Sequence, residues 1–401
     1  MSLVVQKYGG SSVKDAERVM NVARRIVETY DKGNDVIVVV SAQGDTTDDL
    51  IEKAKEINAN PSKREMDMLL STGEQISISL LAMAIEKLER PVISLTGWQA
   101  GMNTDSHYSV AKIKRIDTER LRSELDKRRI VIVAGFQGIN KYDDITTLGR
   151  GGSDTSAVAL AAVMGADVCE IYTDVDGVFT ADPRFVKNAY KLDDISYDEM
   201  LELASLGANV LHNRSVEMAK KYKVKLSVRS SLNNNEGTYV KEVNQVEKML
   251  VRGVTRDNDC ARIALCGIED TPGKAFEVFS LISKHNIGVD LIIQSIGNGG
   301  KKDISFTVSE NDCEEVLEIL QGENSTLHFD DIKWSKDVSK VSIVGTGMVS
   351  SAGVATKMFE ALFDANINIS MIATSEIKIS VLVDRKDAER AVVAIHDKFM
   401  L

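Results

Sequence analysis

A strand, a glycine-containing loop and a helix occur twice in the first fifty residues, and this pattern limits the fold more than any other feature. The first strand, Leu3–Val5, leads into K-Y-G-G-S-S at residues 7–12 and then into a helix pattern that ends before Gly33. The second, Val36–Val40, is apolar throughout, as in a strand covered on both faces, and it opens into the polar loop Ser41–Asp48. We therefore predict an α/β sheet whose loops converge along one edge, where such folds bind ligands.

A further glycine-containing loop, T-L-G-R-G-G-S-D at residues 147–154, precedes an alanine-rich helix pattern over 155–164. Its three glycines permit positive φ angles and a close backbone approach to a ligand. Ser153 or Asp154 can cap the helix, whose free N–H groups favour an anion. Arg150 offers a planar fork that matches a carboxylate or a phosphate. On this segment alone, a purely structural turn is the alternative.

Lys7, Gly9 and Gly10 could hold phosphates through a point charge and backbone amides, and a plain tight turn is the alternative. The P-loop signature and a complete G-x-G-x-x-G are absent from the sequence, as are the protein-kinase sequences H-R-D and D-F-G. A phosphate site here would therefore belong to another nucleotide-binding family.

Glu74 follows Gly73 within the long helix pattern Met66–Leu88, among small and apolar neighbours. Glycine is costly inside a helix, by about 1 kcal/mol relative to alanine, so a reason for it is needed. Either the helix packs closely there and Glu74 lies at the solvent edge, or a ligand approaches and Glu74 binds its ammonium group.

Composition narrows the class of partner. The chain has 401 residues, 43% of them apolar, and a net charge of −11. This negative charge argues against nucleic acid or an anionic membrane as the main partner.

The four scattered cysteines form no C-x-x-C pair and suggest reduced thiols. We find no signal peptide and no apolar stretch near the ~20 residues of a membrane span, and we predict a cytoplasmic protein.

Six motifs resemble, in order and spacing, the signatures of the aspartokinases. They are K-Y-G-G-S-S, S-A-Q-G-D-T-T-D, S-T-G-E, T-L-G-R-G-G-S-D, Y-T-D-V-D-G-V and A-D-P-R. Together with the C-terminal half, the resemblance covers essentially the whole chain. It implies an α/β protein: a three-layer α/β/α amino-acid-kinase fold at residues 1–230, a linker at 231–247, and two ferredoxin-like βαββαβ ACT domains.

The resemblance also implies roles for individual residues. The residues that would bind the triphosphate are Lys7, Gly9, Gly10 and Ser41. The residues that would form the rest of the ATP site are Thr173, Asp174, Phe179, Asp182 and Arg184. Those at the aspartate site are Thr47, Glu74, Arg150, Gly151, Gly152, Ser153 and Asp154. Of these, the residues implied in catalysis are Lys7, Glu74, Arg150 and Asp154.

The implied reaction transfers a phosphoryl group from ATP to the β-carboxylate of L-aspartate, the first step towards lysine, threonine and methionine. Arg150 would bind the α-carboxylate and Glu74 the α-ammonium group, with the phosphate held by Lys7. Mg²⁺ would bridge phosphate oxygens without a dedicated set of protein ligands. One position departs from the family: many aspartokinases carry a phosphate-binding lysine where this chain has Asn209.

The second half contains an internal repeat with a period of roughly 75–80 residues. Residues 262–308 line up with 340–383, and each copy reads as strand, glycine loop, helix, two strands and an acidic helix. This pattern resembles tandem ACT domains, the amino-acid sensors of aspartokinases. The first would span 262–335, and the second would combine 248–261 with 336–401.

In that resemblance, lysine or threonine, alone or together, would act as feedback inhibitor. The implied effector residues are Asp270, Gly273, Ala275, Asp290, Gln294, Asn368 and Ser375. A packing module without a ligand is the alternative, and either would favour a homo-oligomer through the ACT domains. Some relatives start a shorter regulatory subunit internally, and Met249 lies at the corresponding boundary. Other readings of the whole chain are a kinase of this fold with another acceptor and a non-catalytic amino-acid sensor.

Overall fold

The computed structural model describes residues 2–208, 210–242, 251–297, 299–346, 348 and 353–400, so Asn209 and Met249 lie outside the described residues. The chain forms two compact units. The N-terminal unit comprises Met1–Val178, Lys191–Ser205 and Asn209–Gln245. The C-terminal unit comprises Phe179–Tyr190, Leu206–Ala208 and Val246–Leu401, so it takes two short segments from the range predicted as the kinase domain.

The N-terminal unit alternates strands and helices. Its strands are β1 (Leu3–Tyr8), β2 (Asp35–Val40), β3 (Val92–Leu95), β4 (Met102–Thr104), β5 (Ile113–Ile116), β6 (Ile130–Ala134), β7 (Gln137–Ile139), β8 (Ile145–Thr147), β9 (Val168–Thr173), β10 (Asp194–Ser196), β11 (Leu226–Ser230) and β12 (Thr238–Lys241). Its helices are α1 (Ala16–Asp31), α2 (Thr46–Ile57), α3 (Lys63–Lys87), α4 (Glu119–Asp126), α5 (Gly152–Met164), α6 (Tyr197–Ser205) and α7 (Asn213–Tyr222). Strand β12 lies within the predicted linker, which is therefore in part a sheet strand.

An eight-stranded sheet with the order β10-β12-β11-β9-β1-β2-β6-β3 forms the centre of this unit. Strand β1 runs parallel to β2 and β9, whereas β12 runs antiparallel to β11. Val36, Val38 and Val40 pack with side chains of α1 and α3. Ile37 and Val39, which point to the opposite face, are also fully buried, and α5 contacts that part of the sheet. Layers on both faces explain why β2 is apolar throughout, and the predicted three-layer α/β/α architecture is confirmed.

Helix α3 corrects one expectation from the sequence. Over its 25 residues it is long and apolar enough to cross a membrane by length and composition, so the prediction that no such stretch exists was wrong. Half of its apolar window is buried inside the structure, and the helix contacts α1, α2, β3 and β6. These contacts are those of a core helix.

The C-terminal unit contains the predicted repeat. Its first copy consists of β14 (Ala261–Glu269), α8 (Lys274–Lys284), β15 (Ile292–Gln294), β16 (Lys301–Val308), α9 (Cys313–Gly322), α10 (Asn324–Leu327) and β17 (Asp331–Ser335). The second consists of β18 (Val338–Val344), α11 (Val354–Asp364), β19 (Met371–Thr374), β20 (Lys378–Asp384) and α12 (Ala388–Met400), joined by β13 (Gly253–Asp257) from before the first copy. The two four-stranded sheets have the orders β15-β16-β14-β17 and β13-β18-β20-β19, as expected for ferredoxin-like units.

The segment Phe179–Tyr190 is part of the second copy's core. Ala181 and Val186 pack in one cluster with side chains of β13, β18, α11 and α12. The carbonyl of Thr180 accepts a hydrogen bond from Val254 N at 2.8 Å, and its hydroxyl contacts His396 Nε2 at 2.9 Å. A stretch predicted to serve the nucleotide site is thus held by the C-terminal unit.

Candidate active site

The loops after β1 and β2 and the start of α5 converge at one edge of the central sheet. Lys7, near the end of β1, forms an ion pair with Asp154, with 2.7 Å between Lys7 Nζ and Asp154 Oδ1. Both side chains are largely buried, so this charge pair is shielded from water. The sheet brings together two residues that are 147 positions apart by placing β1 beside β9 and beneath α5.

The K-Y-G-G loop lies directly against the loop after β2. A side chain at Gly10 would come within 2.6 Å of the carbonyl oxygen of Ala42, and Gly44 N donates to Gly10 O at 3.1 Å. Ser41 N donates to Tyr8 O at 3.1 Å. The glycine at position 10 is therefore needed for the close approach of the two loop backbones. This approach places Lys7, Gly9 and Ser41 near one another at the edge of the sheet.

Glu74 lies beside the same loop. Its side chain is only 3% exposed, Oε1 accepts a hydrogen bond from Ala42 N at 3.1 Å, and Oε2 is buried without a partner among the described residues. A side chain at Gly73 would meet Ala42 Cβ at 2.8 Å, so close packing explains that glycine. The alternative that placed Glu74 at the solvent edge was wrong.

Burial also changes the chemistry of Glu74. Because the carboxylate has lost most of its hydration, its pKa rises to about 7, and the backbone hydrogen bond from Ala42 opposes this only in part. A buried carboxylate with one unpaired oxygen is stabilised when a cation binds beside it. Such a group is suited to receive an ammonium group.

Helix α5 begins one turn earlier than its alanine-rich pattern indicated. Gly151 is its N-terminal capping residue, with φ +69°, and no side chain caps the helix, so the predicted capping by Ser153 or Asp154 was wrong. Both of those residues are buried in the first turn. Ser153 packs against Gly135, where a side chain would come within 2.7 Å of its hydroxyl oxygen.

His212 is a residue of this site for which the sequence predicted no role. A side chain at Gly151 would lie 2.2 Å from the His212 ring, so the ring occupies the space above this glycine. Burial lowers the pKa of His212, and although Asp154 opposes this, Arg214 and Arg150 add to it. The sequence did contain a signal for it, because His212 lies three residues after Asn209, in the segment A-N-V-L-H at residues 208–212.

Arg150 differs from its neighbours in being exposed. Within the described part of the chain, no hydrogen bond or ion pair engages its guanidinium group. A cation on a glycine-flanked loop beside the start of α5 remains free to bind an anionic group. Thr47, which is half-buried in the first turn of α2, is the last predicted acceptor-site residue.

The predicted nucleotide residues are divided between the units. Thr173 and Asp174 are in the N-terminal unit, at the end of β9, where the Thr173 hydroxyl lies 3.0 Å from Asp174 Oδ1. Phe179, Asp182 and Arg184 are in the C-terminal unit. There Arg184 Nε donates to both carboxylate oxygens of Asp182 at 3.0 Å, and this lowers the pKa of Asp182.

Several predicted effector residues lie on the two repeat copies. Gly273, with φ +101°, is the N-terminal capping residue of α8, and Ala275 is the second residue of that helix. Gln294, at the end of β15, and Asn368 are exposed. Ser375, just after β19, has a buried hydroxyl without a partner among the described residues, and β15 contacts β19.

The two predicted effector carboxylates are already engaged. Asp270 forms an ion pair with Lys302 at 3.0 Å, and Asp290 forms one with Lys340, which is only 6% exposed. A ligand would have to compete with these lysines for either carboxylate. Gln294, Asn368 and Ser375 are therefore the more available polar side chains of the predicted set.

Comparison with known proteins agrees with this architecture. Residues 2–230 match the model of the amino acid kinase family, and residues 263–323 and 341–399 match an ACT domain model. The aspartokinase of Bacillus sp. (strain MGA3) is 50% identical over 402 aligned positions, which cover 100% of this chain and 98% of the relative.

Two solved structures agree with it as well. Aspartate kinase from Synechocystis is 44% identical, with a TM-score of 0.56, and the match covers 100% of this chain and 70% of that one. E. coli aspartokinase III in complex with aspartate and ADP is 24% identical and shares the fold, with a TM-score of 0.84 and full coverage of both chains. The chain therefore belongs to the aspartokinases, a group within the amino acid kinase family.

Proposed function

We propose that this chain transfers the γ-phosphoryl group of ATP to the β-carboxylate of L-aspartate, giving 4-phospho-L-aspartate. The observation that carries the proposal is that two groups next to the loops around Lys7 have no partner among the described residues: one buried oxygen of Glu74 and the guanidinium group of Arg150. One carboxylate and one cation match the α-ammonium and α-carboxylate groups of an amino acid.

Each residue then has a defined task. Glu74 binds the α-ammonium group and Arg150 the α-carboxylate, which leaves the β-carboxylate directed at the phosphate held by Lys7. A carboxylate with a reference pKa near 3.9 is already ionised at neutral pH, so no general base is required. The protein aligns the two reactants and neutralises the charge that develops on the transferred phosphoryl group.

ATP and Mg²⁺ are the proposed cofactors. Mg²⁺ keeps several waters and is commonly held by one or two carboxylates together with substrate phosphates. It would supply charge neutralisation on the phosphate oxygens. In the described part of the chain no three His, Cys, Asp or Glu side chains are grouped around one point, and Asp154, beside Lys7, is a carboxylate within reach of phosphates bound there.

The test is an ATP-dependent hydroxamate assay, which traps the acyl phosphate. We expect hydroxamate with aspartate and little or none with glutamate, because an extra methylene group displaces the reacting carboxylate. The assay is repeated with lysine and with threonine to identify the effector. Turnover with glutamate alone would contradict the proposed substrate, and no turnover with either would favour a non-catalytic sensor.

We further propose that lysine or threonine inhibits the enzyme by binding where β15 and β19 meet. Inhibition requires that the effector bind the active and inactive states with different affinities. The unpartnered hydroxyl of Ser375 and the exposed amide of Gln294 support this location. Asp270, Asp290, Asn368 and the start of α8 are the other proposed contacts.

Gln294→Ala should raise the effector concentration needed for half inhibition by about tenfold, since one hydrogen bond to a charged ligand contributes about 1.5–3 kcal/mol. Turnover without effector should be nearly unchanged, because Gln294 lies outside the catalytic site. Gln321→Ala, on the exposed end of α9, is the matched control. Unchanged inhibition in Gln294→Ala would remove this residue from the effector site.

Assembly and location complete the proposal. Edge strands such as β15 and β19 suit association of ACT units, so we propose a homo-oligomer. We place the enzyme in the cytoplasm, where ATP and aspartate are available. Internal initiation at Met249 would appear as a second, smaller polypeptide when the intact gene is expressed.

A further inference from the structure

Asp67 is a fully buried carboxylate that the reaction does not use. It lies on α3 seven residues before Glu74, so both carboxylates project from the same face of the helix. Its oxygens accept hydrogen bonds from Ser109 N at 2.9 and 3.0 Å and from Thr147 N at 2.9 Å. The Thr147 hydroxyl donates at 2.7 Å and the Ser109 hydroxyl contacts at 3.3 Å.

These bonds hold an unfavourable backbone conformation. Ser109 has φ +69°, in the left-handed region that non-glycine residues rarely adopt and that costs of order 1 kcal/mol or more. Its carbonyl oxygen lies 2.8 Å from the position of a side chain at Gly149, so Ser109 packs directly on the residue before Arg150. Asp67 therefore contacts the acceptor loop at Thr147 and, through Ser109, at Gly149.

Hydrogen bonds from Arg214 and Ala111 also hold the acceptor loop. Arg214 donates to the carbonyl oxygens of Leu148 and Ala111 at 2.9 and 2.8 Å, and Ala111 N donates to Thr147 O at 2.9 Å. The loop that carries Arg150 is thus fixed up to residue 149, while the Arg150 side chain itself is free. The hydrogen bonds to Asp67 offset the cost of burying its charge, and replacing Asp67 would leave buried donors without an acceptor.

We propose that Asp67 is a positioning residue that sets the distance between Arg150 and Glu74. Because Asp67 and Glu74 belong to one rigid helix, the acceptor loop is placed relative to the carboxylate that receives the ammonium group. The inference rests on the proposed function and deepens it. In this proposal, the enzyme selects an α-amino acid by the distance between Glu74, which lies on α3, and Arg150, whose loop is held to α3 by Asp67.

The test is steady-state kinetics of the full chain carrying Asp67→Asn. An amide has one accepting oxygen where the carboxylate has two, so the bonds to one of the two positions are lost or reversed: those of the Thr147 and Ser109 hydroxyls at Oδ1, or those of Ser109 N and Thr147 N at Oδ2. The negative charge that strengthens all of these bonds is also removed, and the loop loosens. We expect KM for aspartate to rise about tenfold or more. KM for ATP should stay within about twofold, because the hydrogen bonds of Asp67 among the described residues go to Ser109 and Thr147 and not to the K-Y-G-G loop. Thr147→Val, which loses the hydroxyl bond, should show a smaller rise of the same kind, and Thr147→Ser should restore normal KM.

A double-mutant cycle separates positioning from general stability. If Asp67 acts through Arg150, the effect of Asp67→Asn on KM for aspartate should vanish in an Arg150→Ala background. Glu124→Gln, which alters a buried carboxylate on α4, is the control and should leave KM for aspartate unchanged. Additive effects, or a lower kcat with both KM values unchanged, would overturn the inference. Wild-type turnover with aspartate tests the proposed function separately, so the two failures are distinguishable.

Discussion

Lys7→Ala is expected to lower kcat by about a thousandfold, because it removes the charge that stabilises the transferred phosphoryl group. The ion pair with Asp154 holds Lys7 Nζ in a largely buried position, where an electrostatic contact is stronger than in water. Asn209→Ala should cost at most about tenfold, since an amide supplies a hydrogen bond but no charge. The measurement is kcat at saturating ATP and aspartate.

Lys32→Ala, just after α1, is the matched control and should keep full activity. Thermal unfolding of Lys7→Ala shows whether the lost turnover reflects a lost fold, since Asp154 is left without its cation. Equal losses in Lys7→Ala and Asn209→Ala would mean that the phosphate contacts are misplaced.

Glu74→Gln should lower kcat/KM for aspartate by about a hundredfold or more while making the protein more stable at neutral pH. The loss follows from removing the partner of the ammonium group. The gain follows because the wild-type carboxylate is buried with an unpartnered oxygen, and an amide avoids the cost of burying a charge. Kinetics and thermal unfolding of the same variant measure both effects.

The raised pKa of Glu74 determines how the stability of the protein changes with pH. The pKa of Glu74 rises from 4.5 in the unfolded chain to about 7 in the fold, so the folded state binds the proton more tightly. Stability from this group is present below pH 4.5 and is lost as pH rises through about 7, up to roughly 3 kcal/mol. The stability advantage of Glu74→Gln should therefore be small at pH 5 and full at pH 8.

Glu124 is the matched control for that result. It is equally buried, but ion pairs with Lys127 and Arg129 outweigh the effect of burial and lower its pKa. Glu124→Gln should therefore destabilise the protein at neutral pH, the opposite sign to Glu74→Gln. A stability difference for Glu74→Gln that does not change with pH would contradict the raised pKa.

The sequence was sufficient for features that repeat along the chain. The apolar run in β2 predicted a strand covered on both faces, and the repeat predicted two βαββαβ units. The start of α5 was missed because its first turn is glycine and polar residues rather than alanine. A hydrophobic pattern indicates which part of a helix is buried. The first turn of α5 depends instead on the backbone conformation of Gly151.

The candidate site was predictable only as a set of motifs. Nothing in local spacing indicates that Glu74 contacts Ala42 N, or that the His212 ring occupies the space above Gly151, since both depend on tertiary packing. Asp67 carried a usable signal, because a lone aspartate within an apolar helix pattern needs partners when buried. The identity of those partners, Ser109 and Thr147, required the fold.

The short segment Phe179–Tyr190 limits where the chain can be truncated or exchanged with that of a relative. Its apolar side chains complete the core of the second ACT copy, although residues of the central sheet both precede and follow it in the chain. An open reading frame stopped after residue 245 would leave Ala181 and Val186 without the strands and helices that cover them. The C-terminal unit of this chain is therefore not continuous in sequence, and a chimera that exchanges it must also exchange the segment Phe179–Tyr190.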